Sequence, residues 1–544
     1  MEETVGVTGT NKPVENERVF AWWDYPVFAL LSGLALLSIW RFAAYWVSGE
    51  DWVEYPVTFT LLSLLLGVRV ALFAVRWFSL PRMKKPIPWV ARPGWKVAVV
   101  TTFVPGAESL EMLEKTVKAL IAMKYPHDTW VLDEGDDTRV KALCQRLGAT
   151  HFSRRTRPEY QAEQGHFQAR TKYGNYNAWL HEVRFARYEI VTAFDPDHMP
   201  DPAFLSEVLG YFADSKVGYV QAPQAYYNQQ ASFIARGAAE EEYVPCSCVQ
   251  MGAYATGVTV IKGSHNTHRM AALKDVGGFS PHDADDLMIT LRYLASGWSG
   301  VYVPKILARG LTPVDWAGYL GQHLRWARSI LDVKLRVYPK LFRRLPTGAR
   351  ICGALHGLFY LSGLTTFFGV VVVTFMLITG TVPRVLSFSV LPPLAVLIGV
   401  FQACELYRQR FFLDWRSEWG FHWRAAVLRF ARWPFLVWAL YEVLTKRNVP
   451  YTITMKTEGS VRQRLLLLPH GLVVGVIGSA WAIGTVAGHP IPPLLHSLAA
   501  IIMFAACAVI LSEEMKFPPP YDRALAGRVL KPPANQKTTR LDKA

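Results

Sequence analysis

Cysteine is scarce, with six residues in a chain of 544. Cys144, Cys246, Cys248, Cys352, Cys404 and Cys507 make no disulfide framework, and three of them fall in apolar runs. Cys246-x-Cys248 lacks a second Cys or His pair at zinc spacing. These absences exclude a disulfide-stapled secreted module and a structural zinc domain, and they leave reduced thiols as the expectation. The first twenty residues, MEETVGVTGTNKPVENERVF, have no basic stretch leading into a short apolar core, so no secretory signal is expected. Acidic residues are outnumbered, 43 against 58 Lys and Arg, for a net charge of +15. Such a balance suits nucleic acid, polyanionic small molecules or the basic loops of a membrane protein. Half the chain is hydrophobic, 51%, so the membrane reading is preferred and no nucleic-acid partner is expected.

What is present in quantity is apolar sequence near both ends. A spanning helix needs roughly 20 largely apolar residues, and six stretches qualify: 27–47, 57–78, 355–380, 386–404, 465–487 and 494–511. Trp22, Trp23 and Tyr25 precede the first as an interfacial belt. Arg76 can snorkel from the second span, whereas Arg69 is expected to face protein or water. The connection SGEDWVEY is acidic, and the connections at 381–385 and 488–493 hold one Arg between them. Residues 405–464 carry eleven Lys and Arg against five acids. The positive-inside rule therefore places that stretch, the central region and both termini in the cytoplasm. Residues 425–444 are apolar enough to span, but Arg429, Arg432 and Pro434 interrupt them, and a helix in the interface is the better reading. Residues 319–338 read the same way.

Between the apolar ends, residues 85–345 alternate strand-like and helix-like patterns. KVAVVTTFV, TWVLDEGDD and ARYEIVTAFDPDHMP read as strands, and LEMLEKTVKALIAM and VKALCQRLGA as amphipathic helices. Such alternation predicts a mostly parallel α/β sheet, with ligands bound at the carboxyl ends of its strands. Two acidic clusters fall at such ends, and a third, in HDADDLMITLRYLASGWSGVYV (282–303), opens a helix. Asp and Glu are also ordinary turn and helix-cap residues. Three clusters in one domain favour a site.

Asp195-Pro-Asp197 puts two carboxylates at one strand end. They repel each other unless a cation or proton intervenes, and a hard divalent ion bound there could neutralise a departing diphosphate. A glycosyl transfer needs a separate base on the far side of the sugar, and Asp286 is the candidate. GYLGQHLRWARS adds Gln322, Arg325 and Trp326: a guanidinium fork for phosphate, and an indole face for a sugar ring.

The ordered set of Asp133 in VLDEGDD, Asp195 and Asp197 in FDPDHMP, Asp286 in DADD and Gln322-x-x-Arg325-Trp326 resembles the processive family 2 glycosyltransferases. Among these, which include cellulose, chitin and hyaluronan synthases, the bacterial cellulose synthase catalytic subunit is nearest. TKYGNYNAWL (171–180) and VQAPQAYYN (220–228) resemble further stretches of that family, and Tyr451-Thr-Ile-Thr-Met-Lys456 resembles its gating loop. The resemblance covers roughly residues 25–512.

It implies an α/β cytosolic glycosyltransferase domain, GT-A-like with a mostly parallel sheet, inserted in an α-helical multi-pass membrane domain. The implied organisation is a tail at 1–25, two spans in 26–80, the transferase domain at 85–345, two spans in 350–405, an interfacial helix and gating loop at 406–464, two spans in 465–512 and a tail at 513–544. It implies a nucleotide-sugar site of Asp133, Lys172, Asp195, Gln322, Arg325, Thr454 and Lys456. Asp195 and Asp197 would hold Mg2+ or Mn2+ beside His198, Asp286 would be the base, and Trp326 would stack on the acceptor. The expected partners are a UDP-sugar donor (UDP-glucose first), a growing polysaccharide, the lipid bilayer and accessory export proteins; the expected location is the plasma (inner) membrane. A chitin- or hyaluronan-type donor, a single transfer to a lipid, or a transporter with a regulatory α/β domain are the alternatives. Thr101-Thr-Phe-Val-Pro105, Asp285 and GSHNTHR (263–269) depart from the cellulose synthase pattern, the last near the acceptor.

Overall fold

The computed structural model describes residues 12–447 and 466–512. Its strands are β1 (Asn16–Arg18), β2 (Lys84–Pro86), β3 (Val97–Phe103), β4 (Asp128–Asp133), β5 (Thr150–Phe152), β6 (Ile190–Phe194), β7 (Met199–Pro200), β8 (Val217–Gln221), β9 (Asn266–Arg269), β10 (Ser299–Tyr302) and β11 (Ala308–Arg309). Seven of them form one sheet in the order β10-β8-β9-β6-β3-β4-β5. All neighbours in it pair in parallel except β9, which runs antiparallel to both β6 and β8. The mostly parallel α/β sheet expected from the sequence is therefore the one observed.

The central strands are apolar because helices cover both faces of a parallel sheet. All seven residues of β3, VAVVTTF, are buried. The covering helices start where the sequence supplies a cap. Ser109 Oγ accepts from Met112 N ahead of Leu110–Ile121, Asp137 caps Thr138–Leu147, and Thr171 caps Lys172–Glu182. Thr138–Leu147 stops at Gly148, whose φ of 80° suits a residue without Cβ.

Six helices among the described residues are long and apolar enough to cross a membrane: Asp24–Trp46, Pro56–Arg82, Thr347–Thr379, Phe388–Phe411, Leu468–Val486 and Pro493–Leu511. The third is interrupted at Gly357, which has a φ of +76°. Residues 425–444 form two pieces, Trp423–Ala431 and Trp433–Leu444, meeting at Arg432. The first packs on Phe233–Val244 and Pro493–Leu511, the second on Trp316–Asp332 and Ser362–Thr379. These two pieces thus join the sheet domain to the apolar helices.

Candidate active site

The carboxyl ends of β6 and β4, the start of helix Asp285–Ala295 and one face of helix Trp316–Asp332 surround a cavity of about 1930 Å³. Chain reversal after β6, with His198 N bonded to Asp195 O at 3.0 Å, gathers Asp195, Asp197 and His198. Their potential ligand atoms all lie within 4.8 Å of one another. Asp197 is 1% exposed, and its Oδ2 accepts from Leu311 N at 3.1 Å. His198 Nδ1 meets Asp197 Oδ1 at 3.1 Å, while its buried Nε2 has no hydrogen-bond partner among the described residues. Lys172, opening helix Lys172–Glu182, places Nζ 2.5 Å from Asp195 Oδ1. Burial alone works to lower the Lys172 ammonium, but the Asp195 carboxylate, helped by Asp285, outweighs it and holds it well above its ordinary value. Two carboxylates, an orphaned imidazole nitrogen and an ammonium already paired with one carboxylate form a set that fits a hard divalent cation and an anionic ligand together.

Asp286 sits in the first turn of helix Asp285–Ala295, where the helix dipole favours a carboxylate. Its Oδ2 accepts from Gly263 N at 3.1 Å and its Oδ1 from Leu287 N at 2.7 Å. Burial raises the pKa of Asp286, against the opposing pull of those two N–H groups and of Lys172 and Lys262. Asp285 is raised as well, by burial and then by the neighbouring Asp286 charge. A half-buried carboxylate pair with pKa values displaced upward suits a proton acceptor.

Gln322, Arg325 and Trp326 lie three and four residues apart and line the same cavity. Asp315 Oδ1 accepts from Gly318 N at 2.8 Å and starts their helix, whose other face buries Trp316, Tyr319 and Leu320.

The structure thus gathers Lys172, Asp195, Asp197, His198, Asp286, Gln322, Arg325 and Trp326 around one cavity. Asp133 is not among its lining residues. It is 0% exposed, and its carboxylate accepts from Gly135 N at 2.8 Å and Asp137 N at 2.6 Å, with His151 Nε2 at 3.1 Å. Its neighbour Glu134 lines the cavity instead and holds the buried Arg154 through two bonds of 3.0 and 2.9 Å. Thr454 and Lys456 lie outside the described residues.

Sequence reasoning missed three features. Asp285 was read only as a substitution, although adjacency to Asp286 was the available signal. Lys262, ion-paired to Glu242 at 2.9 Å, lines the cavity one residue before the Gly263 N–H that holds Asp286. Arg432 pairs with Glu241 at 3.0 Å, beside Tyr319 and His323.

Strand ends, paired acids and an Arg-Trp helix thus surround one cavity. Residues 97–329 match the family model described as glycosyltransferase like family 2, so the chain carries a glycosyltransferase family 2 domain. It is similar to cellulose synthase 2 of Novacetimonas hansenii, 29% identical over 319 residues, which is 56% of this chain and 18% of that protein. It is also similar to the UDP-forming cellulose synthase 1 catalytic subunit of Komagataeibacter xylinus, 27% identical over 331 residues, 59% of this chain and 41% of the relative. The chain therefore spans less than half the length of these curated relatives. A mannosyltransferase from Pyrobaculum calidifontis, solved with GDP-Man and Mn2+, is 16% identical with a TM-score of 0.48, covering 72% of this chain and 99% of its own.

Proposed function

We propose that the chain is a membrane-embedded, processive, inverting β-glycosyltransferase that polymerises a UDP-sugar and passes the product between its own membrane helices. The observation that carries this reading is the continuity of one cavity. It runs from Asp195, Asp197 and Asp286, past Trp326, to residues of the apolar helices such as Thr365 and Gln402. A single-transfer enzyme needs the acids but not the connected path.

The residues divide the work. Asp286, fixed by the Gly263 N–H, accepts the proton of the attacking acceptor hydroxyl. The acceptor oxygen forms its bond to the anomeric carbon as the bond from that carbon to the diphosphate oxygen breaks, and UDP departs. Lys172, Gln322 and Arg325 hold the diphosphate, and Trp326 stacks under the acceptor sugar. Asp195 and Asp197, with His198 beside them, are the residues that would hold Mg2+ or Mn2+, which supplies positive charge to the leaving diphosphate. Thr454 and Lys456 belong to the proposed gating loop, and Asp133 serves the site through the shape of the turn that carries Glu134. UDP-glucose is the donor implied by the resemblance to cellulose synthases. The proposed setting is the plasma (inner) membrane, with the transferase domain and both termini cytoplasmic and accessory export proteins as partners.

The test is incubation of the reconstituted protein with a divalent metal and radiolabelled UDP-sugars, beside Asp286→Asn. Label in high-molecular-weight product, absent from the variant, is the expected result. Short or lipid-soluble product would replace this reading with single transfer.

A further inference from the structure

Trp326 is half-buried and lines the cavity. The ring beside it is His323, one turn earlier on the same helix, with centroids 5.3 Å apart and planes at 75°. His323 lies in turn 4.4 Å from the ring of Tyr319. It is buried, and its neighbours decide where its proton sits. Arg432 Nη1 approaches Nδ1 at 3.4 Å, and a guanidinium can only donate, so Nδ1 offers its lone pair. The ring proton is then on Nε2, which faces Glu241 Oε2 at 3.6 Å. Burial, and after it the Arg432 charge, holds His323 well below its ordinary pKa, so the ring is neutral. The same Glu241 oxygen accepts from the Tyr319 hydroxyl at 2.7 Å and from Arg432 at 3.0 Å.

Three separate elements meet in this cluster. Glu241 comes from helix Phe233–Val244, Tyr319 and His323 from Trp316–Asp332, and Arg432 from the junction of Trp423–Ala431 with Trp433–Leu444. A second contact follows further along the same helix. Arg328, two residues past Trp326, lies 3.6 Å from Glu442 and 3.8 Å from Asp283, which stands three residues before Asp286. The Arg432–Glu241 pair alone would join the elements, and an apolar side chain in place of His323 would fill the same space. An imidazole with one nitrogen accepting and the other facing a carboxylate does more: it has a fixed plane, and the Trp326 indole rests against it. An indole supports a sugar ring only at the right tilt, and small displacements of a reacting hydroxyl are costly in rate.

We propose that His323 is a positioning residue for Trp326: held between Arg432 and Glu241, it fixes the tilt of the indole, so that the acceptor hydroxyl rather than water reaches the sugar donor. This rests on the polymerase reading above and adds the residue that sets its acceptor platform.

The experiment uses the full chain in nanodiscs, with Mn2+ and labelled UDP-glucose or UDP-N-acetylglucosamine. UDP release and label in polymer are measured on the same sample. Their ratio counts the transfers in which water took the sugar, and being per turnover it does not depend on the fraction of protein folded. In His323→Leu the UDP released per sugar polymerised is expected to rise roughly 2- to 10-fold, the effect of losing one oriented aromatic contact. The polymer shortens while the donor KM stays unchanged. His323→Gln, whose amide can accept from Arg432 and donate to Glu241, is expected to return the ratio part of the way. UDP release and polymer falling in parallel at an unchanged ratio, or a Gln variant no better than Leu, overturns the inference and leaves the polymerase reading standing. If His323→Leu yields no folded protein, His323→Met takes its place; failure of both to fold assigns His323 to core packing and overturns the inference. No polymer from wild type with either donor overturns both.

Discussion

Gly310→Ala is the sharpest probe of the acidic end of the cavity. Pairing of β11 with β7, Arg309 opposite Met199, carries Gly310 across the His198 ring. A Cβ at this position would lie 2.3 Å from His198 Cε1 and Nε2 and 2.6 Å from Nδ1. Contact between such atoms needs about 3.5 Å, so something must move by about 1 Å. The backbone cannot retreat easily, because Gly310 N donates to Ala225 O at 2.8 Å and Gly310 O accepts from Tyr227 N at 3.1 Å. The ring must therefore shift, yet it is 3% exposed and packs against His265 at 5.4 Å. Overpacking of this kind costs about 1–3 kcal/mol. Losing the Nδ1 contact to Asp197 should weaken the metal roughly 10- to 100-fold, the usual effect of disturbing a ligand's support. The assay is Mn2+ titration of transfer rate together with thermal unfolding. A variant that loses stability while its half-saturating Mn2+ concentration stays unchanged would refute the placement of His198 at the metal. In His198→Ala/Gly310→Ala the clash is gone, so the stability losses should not add.

Four further outcomes are expected. Asp286 must be ionised to accept a proton, so activity falls as pH drops through its pKa, and burial places that limb above the ordinary carboxylate value near 3.9. Asp285→Asn removes a neighbouring negative charge, lets Asp286 ionise more readily and should move the acid limb of the pH–rate profile to lower pH; an unmoved limb would count against the pairing. Arg432→Met strands Glu241, whose pKa burial already raises, and should cost roughly 3–5 kcal/mol in unfolding, partly recovered by adding Glu241→Gln. Lys172→Met removes a charged hydrogen bond from the diphosphate side and should raise the donor KM by about tenfold or more.

The spans and the acid clusters were legible because each is written locally, as a long apolar run or as carboxylates ending a β-branched one. The mostly parallel sheet followed from the alternation around Val97–Phe103 and Ile190–Phe194. β9 did not, since NTHR has no apolar pattern. Much of its polarity is satisfied by partners distant in sequence. Thr267 meets Thr192 at 3.1 Å, His268 meets the Tyr293 hydroxyl at 3.0 Å, and Arg269 donates to the carbonyls of Val217, Phe212 and Asp214. Burial drives His268 down to about 3, so it sits in the sheet as a neutral ring. Asp133 and Glu134 illustrate the same limit within the site: adjacent acids differ in which one turns inward to hold its own loop. Nothing in VLDEGDD distinguishes them before the turn is built. Lys262 and Arg432 were equally hidden, because their value depends on Glu242 and Glu241 arriving from another helix.

The small pair of β1 and β2 has a consequence for how the chain enters a bilayer. Asn16 faces Pro86 and Arg18 faces Lys84, Glu17 holds Lys85 at 3.0 Å, and Val19 N and Ile87 N extend the ladder with bonds of 3.1 and 2.9 Å. The residues just before the first span are thus stitched to those just after the second. That seam closes only when both helices have been threaded and both ends have emerged on one face, so a half-inserted or inverted first helix leaves it open. The ladder fixes the two helix ends side by side, so the first pair of apolar helices and its base form one joined unit.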